Sequence, residues 1–496
     1  MSSCSRPTGY WTEDATDCDD DDSDDTAEAE AASIHPDATE VCNNLADDDC
    51  DGGAAECRLT SAILGTACLG VAGGEVRDVF APAGDVDGDG YDDFWAGDTT
   101  YSTATELSAG AAYLIRGAAS PSATFSDTGA YATLVGAAAS AIAGFAIAGN
   151  GDVDADGVPD VLVNGSRATG NVGGAYLMKG PFTAGVSSLG LASATITGST
   201  FASLSGISLA LAELDDVAGA DLVLGSPYHD DGGADAGAVF VFTSEPVGAT
   251  DVDLADLRVI GENAGDEAGF AVSTGDPTGD GVTDLVIGAP GRSDIGAVYV
   301  VTGDATGVVD LRDADLRITG LDVGDRFGYD VASGGDVTGD GLDDIAIGAP
   351  YRSESYYEGI VYVVAGAEPT LPSVSVSSAE AGHLNAGTNR LLGTFVDMPG
   401  DLDRDGFAEV IAGGPQYQGV GCSSHSGCGS SVLNYGPVSG TRPPDVEWLG
   451  NDGRRIGRAM VGVGDLDGDT YPDFVMGARQ GWPIGYAAYL MLGVGL

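Results

Sequence analysis

Positive charge is what this chain most lacks. Of its 496 residues 19 are lysine or arginine against 77 aspartate or glutamate, a net charge of −58, and Lys179 is the sole lysine. A surface of that sign repels phosphate backbones and anionic lipid, which excludes nucleic acid as a partner. Long apolar runs are missing too. No stretch of about 18 apolar residues exists to cross a membrane as a helix, so no membrane insertion is expected. Histidine is scarce and dispersed (His35, His229, His383, His425), and no Ser-His-Asp, HExxH or phosphate-loop pattern surrounds it. His229 and His425 read as exposed loop residues. C-x₂-C pairs are absent, which argues against a thiolate zinc site. The first residues, MSSCSRPTGYWTED, hold no apolar leader segment.

What the chain has in excess is Asp and Gly in one arrangement. In GDVTGDGLDDIAIGAP (335–350) oxygen-bearing side chains fall at positions 1, 3, 5 and 9 counted from Asp336, with Gly341 at position 6. Alternate residues of a tightly curled loop point inward, and the glycine supplies the positive φ of the curl. Such a loop suits Ca²⁺, which takes about six to eight oxygen ligands; the main-chain carbonyl of position 7 adds one. The Glu expected at position 12 of an EF-hand is missing. An apolar, β-branched run follows instead and reads as a buried strand.

Recurrence separates this loop from an ordinary Asp-Gly turn. Taking position 1 as Asp85, Asp152, Glu213, Asp276, Asp336, Asp401 and Asp465, the copies are 67, 61, 63, 60, 65 and 64 residues apart. A unit that recurs at such a period stacks on its neighbours to bury its faces. Six copies carry candidate ligands: Asp85, Asp87, Asp89, Tyr91 and Asp93; Asp152, Asp154, Asp156, Val158 and Asp160; Asp276, Thr278, Asp280, Val282 and Asp284; Asp336, Thr338, Asp340, Leu342 and Asp344; Asp401, Asp403, Asp405, Phe407 and Glu409; Asp465, Asp467, Asp469, Tyr471 and Asp473. Thr470 replaces the curl glycine in the last, so the expected count is five or six calcium ions. In the Glu213 copy Val217 and Ala218 replace Asp-Gly, and that copy is expected to be metal-free. Each unit also holds a Gly-aromatic stretch before the loop, a Gly-Ala-x-Tyr-Val stretch after it, and a short x-x-Leu/Ile-x-Gly strand. Four antiparallel strands in seven units is the arithmetic of an all-β, seven-bladed β-propeller. The last unit lacks its fourth strand, and LTSAILG (59–65) has the pattern to complete it.

Phe327-Gly328 with Gly348-Ala349-Pro350, and Gly269-Phe270 with Gly288-Ala289-Pro290, make residues 59–496 similar to the FG-GAP repeat propellers of integrin α chains and secreted bacterial proteins. The resemblance implies Ca²⁺ in the hairpins between first and second strands on one rim, and a protein or glycan partner on the opposite face. The loops of that face carry Tyr228, His229, Arg292, Tyr351, Arg352, Tyr356, Tyr357, Tyr417 and Trp482, and aromatic and Arg side chains make interface hot spots.

Residues 1–58 form a separate Cys/Asp-rich arm, expected to be disordered or loop-rich. DCDDDDSDD through HPDATEVCNNLADDDCDGG resembles, in part, a short metal-binding repeat of secreted bacterial proteins; a solvated acidic spacer is the competing reading. Cys4, Cys18, Cys42, Cys50, Cys57 and Cys68, with the pair Cys422 and Cys428, suggest disulfides and an extracellular or cell-surface location. Adaptation to high salt would also account for the acidity. The leading functional expectation is a calcium-binding adhesion or binding module. The alternative is a secreted lyase or hydrolase with its site in the propeller's central depression, though the 58 residues outside the repeats are too few for a catalytic domain.

Overall fold

In the computed structural model the described residues are 68–70 and 79–493, apart from 104, 120, 122–129, 166–171, 200–203, 216, 353–358, 367–372, 385–390, 416–428, 450–453, 481–485 and 492. They form a seven-bladed propeller. Blade 1 runs through Phe80–Gly84, Asp93–Asp98, Ala111–Ile115 and Ala132–Val135, each antiparallel to the last. Blades 2 to 6 repeat this order, beginning at Ala143–Gly151, Ser208–Ala212, Ala271–Gly275, Val331–Ser333 and Phe395–Asp397. Blade 7 is built from Arg454–Gly464, Asp473–Gln480 and Tyr486–Met491, and its fourth strand is Cys68–Gly70, antiparallel to Tyr486–Met491. The N-terminal segment does close the ring, but the strand that does so lies downstream of 59–65, a stretch outside the described residues along with the arm 1–58. ACLG and AILG share the Leu-Gly ending on which that expectation rested.

Apolar residues fill the spaces between blades instead of one central core. Seven buried clusters each join a neighbouring pair: Trp95 and Leu134 of blade 1 meet Val161 and Tyr176 of blade 2, and Phe80 and Phe94 of blade 1 meet Val463 and Val475 of blade 7. The second and third strands are buried on both faces, which is why they read as unbroken apolar runs. First strands present an unpaired edge to the axis, and side chains of neighbouring blades satisfy it. Ser273 Oγ accepts from Ser333 N (3.1 Å), Asp330 from Val396 N (2.8 Å) and Asp397 from Gly462 N (2.7 Å).

Five blades gain a strand that the four-strand reading did not contain. Gly185–Ser188, on the way from the third to the fourth strand of blade 2, pairs in parallel with the outer strand of blade 1. Gly248–Asp251, Gly307–Asp310, Val374–Ser375 and Gly440–Arg442 do the same for blades 2 to 5. The first three of these excursions return through single 3₁₀ turns in which Ser188, Asp251 and Asp310 accept from the backbone N–H two residues on.

The FG and GAP signatures are the contact points between strands and blades. Gly328 N donates to Gly348 O (3.0 Å), and Phe327 is fully buried, edge-on to Tyr362 at 5.5 Å. Gly296, the first residue of GAVYVV, lies at φ +97° and is bridged to Phe327, so that a Cβ there would sit 2.1 Å from Phe327 O. Gly307 also has positive φ, at +76°, but nothing lies within 4 Å of its Cβ position. Gly307→Ala is therefore expected to lose about 1 kcal/mol for the backbone alone, whereas Gly296→Ala must push two blades apart and is expected to lose at least about 3 kcal/mol. Paired denaturant melts of the two variants measure the difference; equal losses would show that the blade contact is not tight.

Candidate metal centre

Each hairpin between first and second strands is organised by three carboxylates with different duties. The position-1 Asp faces into the curl and accepts from the position-6 N–H in all six expected loops, at 2.7–2.9 Å. The position-5 Asp accepts from the N–H of position 7, so Tyr91, Val158, Val282, Leu342, Phe407 and Tyr471 anchor Asp89, Asp156, Asp280, Asp340, Asp405 and Asp469 at 2.8–3.1 Å. The position-9 acid stands at the start of the second strand or one residue before it and is buried: Asp93, Asp160, Asp284, Asp344, Glu409 and Asp473. It reaches back to the N–H of position 2, as Asp344 does to Val337 (2.7 Å) and Asp473 to Leu466 (2.8 Å). In all but Asp284 its other oxygen holds the turn after the third strand, as in Asp93 with Gly117 N (2.9 Å).

These constraints converge the oxygens. One carboxylate oxygen each from Asp85, Asp87 and Asp93, from Asp152, Asp154 and Asp160, and from Asp465, Asp467 and Asp473 lie within 4.8 Å of one another; in the sixth blade Asp401, Asp403, Asp405 and Glu409 do so. In blades 4 and 5 Thr stands at position 3, and its hydroxyl faces the same cluster: Thr278 Oγ1 is 3.5 Å from Asp276 and Thr338 Oγ1 3.2 Å from Asp344. Thr470 holds φ +77° and still donates to Asp465 at 2.7 Å, so the loop keeps its curl without glycine. Blade 3 retains only the structural half of the design, with Asp221 accepting from Leu214 N (2.7 Å) and Asp215 from Val217 N (3.0 Å).

The donor set fits a hard divalent cation. Every side-chain ligand is oxygen, and buried oxygens are left over: Pro277 has no N–H to offer at position 2, so Asp284 Oδ2 is held by Thr278 instead (3.4 Å), and Asp284 Oδ1 and Asp87 Oδ1 are both buried with no partner. Electrostatics agree. Burial, then repulsion from the other loop carboxylates, raises Asp93 and Asp284 to about 7, Asp473 to about 8 and Glu409 to about 9. In the unfolded chain these groups ionise near 3.8 or 4.5, so between those values and the raised ones the folded chain holds protons that the unfolded chain has released. Cation-free stability is thus fullest below about pH 4 and falls as pH rises from there until the folded-state values of about 7 to 9 are passed. A bound cation removes the repulsion. The gap in Tm between calcium and chelator should therefore widen from pH 5.5 to pH 8.5, read by calorimetry at both; a pH-independent gap would refute the account. Thr470→Gly, which relieves the left-handed β-branched residue, should stabilise by about 1 kcal/mol.

The opposite face gathers aromatics from adjacent blades. Phe270 and Tyr329 lie 4.8 Å apart, Tyr329 and Tyr351 6.0 Å, and the Arg326 guanidinium sits 5.9 Å from the Phe270 and Tyr329 rings. Tyr228 feels the charges of Arg326 and Glu267. Tyr228 and Tyr351 were legible as loop aromatics. Phe270, Tyr329 and Arg326 were not, although their position gives the signal: Phe270 and Tyr329 directly follow the glycine of the FG pair. Arg292 is bound to Glu262 (2.9 Å), and Arg352 stacks 5.9 Å over Tyr362. Tyr356, Tyr357, Tyr417, Trp482, Cys422, Cys428 and His425 lie outside the described residues.

His229 corrects the expectation of an exposed loop residue: it is 1% exposed and edge-on to Phe240 at 5.2 Å. Ser199 Oγ is 3.4 Å from its Nε2 and Asp231 Oδ1 3.9 Å from its Nδ1. This is not a nucleophile-activating set. Asp231 N donates to Nδ1, which leaves the proton on Nε2 where a general base needs a lone pair, and Asp231 is already bound by Arg258.

Fold and loops together define a repeat β-propeller with acidic hairpins on one rim. Two of its stretches, residues 268–301 and 327–364, match the family described as FG-GAP repeat. Integrin alpha-PS2 of Drosophila melanogaster is 32% identical over 228 residues, 42% of this chain and 15% of its own length. Integrin alpha-4 of Xenopus laevis is 30% identical over 217 residues, 43% of this chain and 20% of its own. The chain thus aligns with a fifth or less of the length of these relatives. The WD40 domain of Toxoplasma gondii coronin covers 87% of this chain, and the match 84% of that domain, at 11% identity and a TM-score of 0.48, too remote to bear on function.

Proposed function

We propose that the chain is a calcium-stabilised binding module of the cell surface or extracellular space, holding five or six Ca²⁺ ions in its hairpins and a protein or glycan partner on the opposite face. The observation that carries this reading is the sixfold recurrence of converging oxygens on one rim, four of the sets being all carboxylate. The ligands are the side chains of positions 1, 3, 5 and 9, with the carbonyl of position 7. A cation there offsets a repulsion of order 1 kcal/mol per carboxylate pair even in water's dielectric. By binding only the folded hairpin it adds RT ln(1 + [Ca]/Kd), about 2.7 kcal/mol per site at a hundredfold excess. Integrin α relatives and the cluster of Tyr228, Phe270, Arg326, Tyr329 and Tyr351 support the partner half of the proposal. The net charge of −58 speaks against a nucleic-acid partner.

Elemental analysis after equilibration in millimolar calcium should find five or six ions per chain, and a count of zero or one would end the calcium reading. Asp340→Ala should lower Tm far more in calcium than in chelator, while Asp215→Ala in blade 3 should behave alike in both. A screen against glycans and cell-surface proteins should yield a partner whose binding is lost on Tyr329→Ala but kept on Asp215→Ala.

A further inference from the structure

The six hairpins are not equivalent: beyond the Thr at position 3 in blades 4 and 5, a second difference lies outside the loop motif. In blades 1 and 2 the residue that directly follows the third strand stands beside position 3. In blade 1 it is Arg116, whose Nη1 lies 2.9 Å from Asp87 Oδ2 and whose guanidinium stacks 4.6 Å over Tyr131. In blade 2 it is Lys179, 3.0 Å from Asp154 Oδ2 and 2.5 Å from Glu245. The sequence counterparts in blades 4 to 7 are Thr302, Ala365, Tyr435 and Leu492, none of them cationic. In a chain with one lysine and 18 arginines, two cations at the same repeat position, each on the same loop carboxylate, is a specific arrangement. Asp87 is divided between two demands: Oδ2 is held by Arg116 while Oδ1 is buried without a partner, within the cluster formed with Asp85 and Asp93.

Building on the calcium reading above, we propose that Arg116 and Lys179 are counter-cations that weaken calcium binding in the first two hairpins, placing these four-carboxylate loops in the weak class with the Thr-bearing loops instead of the tight class with blades 6 and 7. A metal taking the position-3 oxygen must displace a protein cation or bind a hydrogen-bond length from it. Affinity in oxygen-ligand loops follows ligand charge, and one fixed positive charge removes about one unit of it. The same ion pair screens the carboxylates when calcium is absent. Arg116 and Lys179 therefore act in opposite directions in the two states: they support the calcium-free hairpin and oppose the loaded one.

Calorimetric calcium titration of the full chain is the test. The wild-type isotherm should resolve two classes, the weaker holding the Thr-bearing hairpins of blades 4 and 5, which lack one carboxylate, and, at the same net charge, the two counter-cation sites of blades 1 and 2. In Arg116→Gln/Lys179→Gln those two sites should tighten about tenfold, the equivalent of about 1.4 kcal/mol per site, with the total count unchanged and Tm in chelator lowered. The charge-keeping Arg116→Lys/Lys179→Arg chain should keep both sites in the weak class, which separates a charge effect from a packing effect and remains informative if the Gln variant folds poorly. Unchanged or weakened affinity in the Gln variant, with calcium still bound elsewhere, would overturn this proposal alone. A wild-type chain that binds no calcium would overturn the calcium reading with it.

Discussion

In most blades one buried carboxylate, at or just before the start of the second strand, ties its own hairpin to the turn after the third strand. Asp93 accepts from Val86 in its own hairpin and from Gly117 after the third strand, and Asp344 and Asp473 repeat the arrangement. Blade 3 shows that this duty is independent of any cation, since Asp221 persists there with Leu214 after the rest of the motif has decayed. Burying such a group is unfavourable unless its oxygens are satisfied. The hairpin must therefore be folded for the acid to be tolerated, and once folded it aims the position-1 and position-3 oxygens at the same point. The convergence of oxygens is thus a by-product of a structural anchor, with further carboxylates added to it.

The hairpins also touch one another around the rim. Asp92 of blade 1 accepts from Asp465 N of blade 7 (2.8 Å), and Asp343 of blade 5 accepts from Asp276 N of blade 4 (2.8 Å). Backbone bonds run the same way, from Ala220 to Asp152 O and from Ala408 to Asp336 O, both 2.8 Å. In stacked repeats stability is close to a sum of unit and nearest-neighbour contributions, so a change in one loop reaches the blade on either side.

How much of this was legible depends on the range of the contact. The loops, their strands and the blade count follow from spacing and periodicity, which are local. The fifth, parallel strands were not visible: Gly307–Asp310 is four residues long with two of them exposed, has no alternation, and is a strand only because the outer edge of the neighbouring blade lies beside it. The closing strand was assigned to the earlier of two short segments with the same ending, a choice local pattern cannot make. His229 was misplaced because loop membership suggests exposure, whereas the packing of Phe240 beneath it buries the ring. Phe270, Tyr329 and Arg326 form a cluster only once blades 4 and 5 are side by side.

The crossing strands also bear on how such a ring can lengthen or shorten. Because the strand that finishes blade 1 is carried between the third and fourth strands of blade 2, and that finishing blade 4 between those of blade 5, the stretch of sequence that recurs is offset from the sheet it completes. A duplicated segment cut at the repeat boundary arrives with a strand addressed to its predecessor and an open edge awaiting its successor. Only an insertion between two existing blades meets both demands, so the architecture favours growth from within the circle over addition at either end.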